Sequence, residues 1–281
     1  MGFIKLMADI KYTVLMSVYN REKPKYLEMA IKSMLDQTVM PDEFIIVEDG
    51  ILTKGLYQVI KHYKSSFPSL FKVISLKENK GLGPALAIGI QNSKNEFIAR
   101  MDSDDFSVST RCEKQINKFK EDPSLGIVGT YEVEFIGSID NEVSIHRVPE
   151  TNNEIRKFMR RRCALLHPTV MYRKSAVQSC GNYHPVYLYE DYDLFSRMVF
   201  EHNIKSYNIQ ENLYYIRTSE DFFKRRGGVN YLKTVIKFKW KQYKKGYMSV
   251  ADFFISGLGQ AIICLLPNKL RKIFYLKVLR K

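Results

Sequence analysis

The sequence predicts an α/β fold: a Rossmann-like, mostly parallel sheet flanked by helices, followed by a basic amphipathic helical tail. Three observations predict it. Over the first 130 residues, short apolar runs alternate with amphipathic stretches, the pattern of parallel strands joined by crossover helices. Each run ends in a polar group, where open α/β sheets bind their ligands. The charge is also uneven: of a net +14, residues 217–281 carry +13 and residues 1–216 only +1.

The strands fall at Tyr12–Val18, Phe44–Val47, Phe71–Leu76 and Phe97–Met101, short apolar segments bounded by polar, Gly or Pro residues. Helices fit between them at Tyr26–Asp36, Gly55–Tyr63 and Pro84–Gln91. Leu125–Val148 reads as antiparallel strands and Asn152–Arg162 as a helix with a basic end. Another helix starts near Glu190, its acids in the first turn where the dipole favours them, with Leu194, Met198 and His202 recurring on one face. These elements make one domain over residues 1–217, its first half ending near 130 and its second running from 131.

Residues 218–281 form the tail. Val229, Leu232, Val235, Ile236, Trp240 and Tyr243 repeat at helical spacing, and Lys233, Lys237, Lys241 and Lys244 make a basic stripe. The following Phe253–Leu266 is uncharged but shorter than the ~20 residues that span a bilayer. It reads as a segment that lies on a membrane surface, and the basic end after it fits that reading.

At 45% hydrophobic and 26% charged residues the composition is that of a folded protein, which sets disorder aside. Cys112, Cys163, Cys180 and Cys264 form no CxxC pair, so neither a zinc site nor a disulfide framework is expected. The N-terminus shows no secretory pattern, and an intracellular location is expected. A +13 tail attracts polyanions, whether membrane, nucleic acid or phosphorylated substrate.

Candidate functional residues sit at the strand ends: Tyr19-Asn20, Glu48-Asp49-Gly50, Asn79-Lys80-Gly81 and Asp102-Ser103-Asp104-Asp105. Asp102 and Asp104, two apart after a strand, can offer carboxylates to one hard divalent cation, Mn2+ or Mg2+. Alone, such a pair is equally a solvated acidic turn. Asn79-Lys80-Gly81 opens a helix, so its N–H groups are placed to face ribose or phosphate oxygens, or to be capped. Arg100 either neutralises a diphosphate or forms a structural ion pair.

Val14–Asn20, Glu48-Asp49-Gly50, Asn79-Lys80-Gly81, Arg100–Asp105 and Glu190-Asp191-Tyr192-Asp193, in that order, resemble glycosyltransferase family 2 over about residues 12–217. The likeness is nearest to bacterial surface-polysaccharide enzymes of the amylovoran and O-antigen type. It implies a GT-A fold, inversion at the anomeric carbon and a nucleoside-diphosphate sugar donor. By position it sets Ser17 and Tyr19 beside uracil and ribose, and Asp49 on the uracil N–H. Asp191 becomes the general base, with Glu190 and Asp193 as substitutes. His167 is implied at the pocket, and Arg217, Arg225 and Arg226 suit a pyrophosphate. The proline usual after the metal motif is absent from Phe106–Arg111.

The expected activity is metal-dependent transfer of a hexose, galactose or glucose, from a UDP-sugar. The expected acceptor is a GlcNAc- or GalNAc-pyrophosphoryl polyprenol in O-antigen, capsule or exopolysaccharide assembly, and a β-1,3 linkage follows from the resemblance alone. Lys233, Lys237 and Lys241 would dock the chain to the cytoplasmic face of the bacterial inner membrane. The alternatives are a non-catalytic basic module on membrane or nucleic acid, and a nucleotidyltransferase. No zinc-finger, RNP-type or helix-turn-helix signature supports specific nucleic-acid binding. Oligomeric state is left open.

Overall fold

The computed structural model describes residues 10–218 and 227–274; Arg225, Arg226, the first nine residues and the basic end after Phe274 lie outside the described residues. The first half runs β1 (Tyr12–Val18), α1 (Pro24–Leu35), β2 (Glu43–Glu48), α2 (Lys54–Ser66), β3 (Phe71–Ser75), α3 (Leu82–Asn92) and β4 (Phe97–Met101). β1, β2 and β4 are buried along almost their whole length, so both faces of each strand read as apolar. α1 opens on Pro24, whose fixed φ suits a first helical turn, and Thr53 caps α2 by accepting from the Leu56 N–H.

The second half adds β5 (Phe106–Ser107), α4 (Arg111–Glu121), β6 (Leu125–Phe135), β7 (Glu142–His146), α5 (Asn152–Phe158), β8 (Met171–Arg173), α6 (Lys174–Ser179), α7 (Glu190–Ser196) and β9 (Lys205–Arg217). The sheet order is β3-β2-β1-β4-β8-β6-β9-β5, with β7 on β6. β1 to β4 are mutually parallel, as are β6 and β9, while β5, β7 and β8 pair antiparallel. Gly89 lets α3 lie close on β1 and β2: a Cβ there would sit 2.2 Å from Leu15 Cδ1.

Two expectations are corrected. The helix from Asn152 ends at Phe158, and Arg160–Arg162 form a turn that sends Arg161 to Asp252 at 2.6 Å. After α7 the chain widens into a π-helical turn, Arg197–Glu201. That turn rotates the face, leaving Leu194 and Met198 buried and His202 exposed.

The C-terminal segment forms α8 (Val229–Lys244), α9 (Val250–Leu265) and α10 (Asn268–Phe274). α8 packs onto the body. Phe238 is buried, its ring stacked on Tyr189 at 4.3 Å and tilted against Tyr192 at 5.2 Å, within the core that holds Leu194 and Phe195. Lys241 is therefore no free docking cation, since its Nζ pairs with buried Asp193 at 2.8 Å. A Ser249–Asp252 capping box starts α9, whose Phe254, Ile255, Leu258, Ile262 and Leu265 are each more than half exposed. Among the described residues no helix is long and apolar enough to cross a membrane.

Candidate active site

The parallel strands deliver their carboxyl-end loops to one edge. There Ser17, Tyr19, Asp49, Asn79, Gly81, Asp102 and Asp104 line a single cavity of about 270 Å³ together with Glu22. Asp49 organises the middle of it. Its carboxylate accepts from the Lys80 N–H at 2.7 Å and the Gly81 N–H at 3.0 Å, and its carbonyl from Asn79 Nδ2 at 3.2 Å. Of the two expectations for these backbone N–H groups, the structure shows capping for Lys80 and Gly81, both of which donate to Asp49 at the helix start. Gly50 makes the approach possible, with φ of 87° and room for no Cβ, which would meet Asn79 N at 2.7 Å.

The acidic run divides its labour. Asp102, partly exposed, is held by Arg100 Nη1 at 2.5 Å; Arg100 is itself 1% exposed, so it lies beneath the loop as an ion-pair partner. Asp105 is buried and anchors the run to β9, accepting from the Arg217 N–H at 2.7 Å and the Tyr214 hydroxyl at 3.0 Å. That same hydroxyl accepts from the Asp102 N–H at 3.2 Å. Arg217 donates from Nε to the Asp104 carbonyl at 3.0 Å and from Nη1 to the Gly137 carbonyl, stacked over Tyr26. It positions the loop, in place of the pyrophosphate contact expected of it.

The remaining acids crowd each other. Burial and then Asp102 raise the Asp104 carboxyl to about 6, and burial with Asp104 and Asp102 raises Glu22 to about 8. Such mutual repulsion at a set of hard oxygen donors suits a divalent cation, which neutralises it. Among the described residues no three His, Cys, Asp or Glu side chains converge to hold a metal unaided. Two carboxylates with the rest of the shell from diphosphate and water is the arrangement that Mg2+-type sites use.

A second cavity, about 260 Å³, shares Gly81 and Leu82 with the first and is bounded by Glu190. Burial, then Asp191, raises the Glu190 carboxyl to about 7. Asp191 lines a third cavity with Arg162, Tyr192 and Lys239. Asp193 and His167, expected at the acceptor, are placed elsewhere. Asp193 is buried between Arg197 at 2.9 Å, Lys241 and His184 at 3.3 Å; burial raises its pKa, and the cations outweigh that to hold it low. His167 is buried, 2.8 Å from the Tyr183 hydroxyl and edge-on to Phe195, and burial with Arg100 drives its pKa well down. It packs as a neutral ring.

The sequence reading passed over Glu22 and Tyr214, and took Asp105 only as a member of the acidic run. An acid three residues past Tyr19, in the loop that leaves β1, was the available signal for Glu22. Tyr214 gave none, because its strand meets the loop only through the sheet.

Residues 13–181 match glycosyl transferase family 2. The chain is 35% identical over 276 residues to an uncharacterized glycosyltransferase of Haemophilus influenzae, covering 97% of this chain and 100% of that protein. It is 33% identical to the Escherichia coli UDP-Gal:alpha-D-GlcNAc-diphosphoundecaprenol beta-1,3-galactosyltransferase, covering 96% and 97%. It is 32% identical to the amylovoran biosynthesis glycosyltransferase AmsE of Erwinia amylovora, covering 95% and 98%. Among solved structures, the Pyrobaculum calidifontis mannosyltransferase PcManGT with GDP-Man and Mn2+ superposes with a TM-score of 0.63 at 12% identity, over 93% of this chain and 71% of that one. S. aureus TarS residues 1–349 with UDP give 0.55 at 18% identity, over 95% and 87%. The fold is the GT-A fold, and the chain belongs to glycosyltransferase family 2.

Proposed function

We propose that this glycosyltransferase moves galactose or glucose from a UDP-sugar to a GlcNAc- or GalNAc-pyrophosphoryl polyprenol, with inversion to a β linkage, β-1,3 by analogy with the E. coli relative. The observation that carries the reading is the single cavity shared by Asp102, Asp104, Asp49 and Ser17, with Glu190 bounding the cavity next to it and its chain neighbour Asp191 lining a third. Near full-length likeness to an enzyme named for a diphosphoundecaprenol acceptor supports the acceptor class.

Ser17, Tyr19 and Asp49 hold the nucleoside. Asp49 keeps lone pairs free after binding the α3 start, since an ionised carboxylate has about four acceptor sites. Asp102 and Asp104 would hold Mn2+ or Mg2+, and the ion, when bound, would supply positive charge that offsets that of the departing diphosphate. Asp191 takes the proton of the acceptor hydroxyl. The hydroxyl oxygen bonds to the anomeric carbon from the face opposite the leaving group, and the broken C–O pair leaves with UDP. The exposed face of α9 and the cations Lys233 and Lys237 hold the chain to the cytoplasmic membrane surface.

Glu190 is the competing base, because its carboxyl near 7 borders the neighbouring cavity. Two variants separate them. Asp191→Asn is expected to retain UDP binding and lower kcat ~10²–10⁴-fold, the usual worth of a general base, and Glu190→Gln to retain most of the turnover. The reverse pattern would hand the role to Glu190.

A further inference from the structure

A groove of about 700 Å³ lies between the segment that leads into α7 and one face of α8. Pro185, Val186, Tyr187 and Trp240 wall it, with the buried Phe238 at its base. Pro185, Val186 and Tyr187 also line the cavity bounded by Glu190, so the two spaces share one wall. On the other side Trp240 meets Phe253 of α9 edge-on at 5.8 Å, next to Phe254 of that helix's exposed apolar face. The groove therefore joins the Glu190 cavity to the apolar face of α9.

Two cations stand on its rim. Lys233 and Lys237, about one helical turn apart on α8, are exposed, and no carboxylate among the described residues pairs with either. Lys241, which also lines the groove, is already matched by Asp193 at 2.8 Å. Like charges four residues apart on a helix repel, and an anion between them removes that repulsion while accepting charge-assisted hydrogen bonds from both. The walls call for different chemistry. Tyr187 is 78% exposed and Trp240 48%, large rings left in water beside the cations. Leu188 follows with φ of 65°, a conformation that a bulky side chain rarely adopts and that clusters at ligand clamps. A hydrocarbon chain carrying a diphosphate satisfies both halves of the groove. A pyrophosphate also matches the pair of ammoniums better than the single phosphodiester charge of a membrane headgroup.

We infer that this groove binds the isoprenoid pyrophosphate of the lipid-linked acceptor. Lys233 and Lys237 hold the pyrophosphate, the chain lies against Tyr187, Val186 and Trp240 and leaves along α9, and the shared wall sets the attached sugar at the Glu190 cavity. The inference rests on the acceptor class proposed above, and it gives the two lysines a substrate anion in addition to the membrane surface.

The test is calorimetric titration of farnesyl pyrophosphate into the full chain saturated with UDP and Mg2+, which fills the donor cavity first. Replacing both rim cations, Lys233→Gln with Lys237→Gln, is expected to weaken binding roughly tenfold. Tyr187→Ser, which removes an exposed ring, should weaken it roughly fivefold. Lys64→Ala, on the outer face of α2, leaves it unchanged. Thermal melting confirms that each variant is folded, and either one alone decides the matter if the other is not. Inorganic pyrophosphate should bind the parent roughly tenfold more weakly than farnesyl pyrophosphate, because it leaves the rings uncovered; equal affinity overturns the inference. Parental affinity for farnesyl pyrophosphate in the folded variants also overturns it, as does a loss confined to phosphatidylglycerol vesicles, which would leave the lysines to membrane headgroups. With UDP-galactose or UDP-glucose and GlcNAc-pyrophosphoryl farnesol, the lysine pair variant should raise KM about tenfold and spare kcat. Lysine-dependent binding without any transfer to the pyrophosphoryl sugar supports the groove and overturns the acceptor reading.

Discussion

Tyr214 shows how one residue distant in sequence sets the acidic loop. Its hydroxyl accepts from the Asp102 N–H and donates to Asp105, so the outer acids are presented to the cavity by a buried pair. Asp102 and Asp104 were legible as a motif because spacing and position after a strand are sequence properties. Asp105's anchoring was not legible, since its partners come from β9. Nor was the capture of the Lys80 and Gly81 N–H groups by Asp49, which depends on two loops meeting. Glu190 offers a pH test at this scale. Its folded pKa near 7 lies above its ordinary value of 4.5, so the folded state binds the extra proton, and the associated stability is lost as pH rises from about 4.5 through 7. Glu190→Gln should therefore show a smaller fall in Tm between pH 5 and pH 8 than the parent; an equal fall would remove Glu190 as a source.

At the level of elements, the first half was readable because parallel strands covered on both faces are plain apolar runs, as in β2, EFIIVE. β9 went unread. Its segment KSYNIQENLYYIR mixes exposed Gln210, Glu211 and Asn212 with buried Leu213 and Tyr214, and only pairing with β6 and β5 makes it a strand. The π-helical turn after α7 was equally invisible, because helical spacing assumes a constant 3.6 residues per turn. Close packing of α3 on the sheet gives a quantitative expectation. Gly89→Ala places a methyl 2.2 Å from Leu15 Cδ1 and 3.2 Å from Val47 Cγ2. Overpacking of this kind costs ~1–3 kcal/mol, to be measured by urea unfolding, and an unchanged midpoint would show that Leu15 yields freely.

For the whole molecule, the basic tail proves to be two things. α8 is part of the body through Phe238 and Lys241, whereas α9 turns an apolar face outward. Deleting residues 229–281 would strip the cover from Tyr189 and Tyr192 as well as remove any membrane contact, so surface substitutions are the cleaner probe. Leu258→Glu with Ile262→Glu forgoes ~1.5–3 kcal/mol of apolar burial per side chain. It should lower partitioning onto phosphatidylglycerol vesicles at least tenfold while leaving UDP binding intact, and equal partitioning would refute the surface role. Charge composition alone showed that the C-terminal segment was basic, but not which helix belonged to the core. The central claim is that Asp102 and Asp104 serve a metal-assisted, inverting transfer onto a pyrophosphoryl-linked sugar. Its most direct test is incubation of the full chain with UDP-α-galactose, UDP-α-glucose and a GlcNAc-pyrophosphoryl lipid, with and without EDTA, and the product's anomeric coupling read by NMR. The account predicts a β-linked hexose formed only when Mn2+ or Mg2+ is present; an α linkage, or transfer undiminished by EDTA, would contradict it.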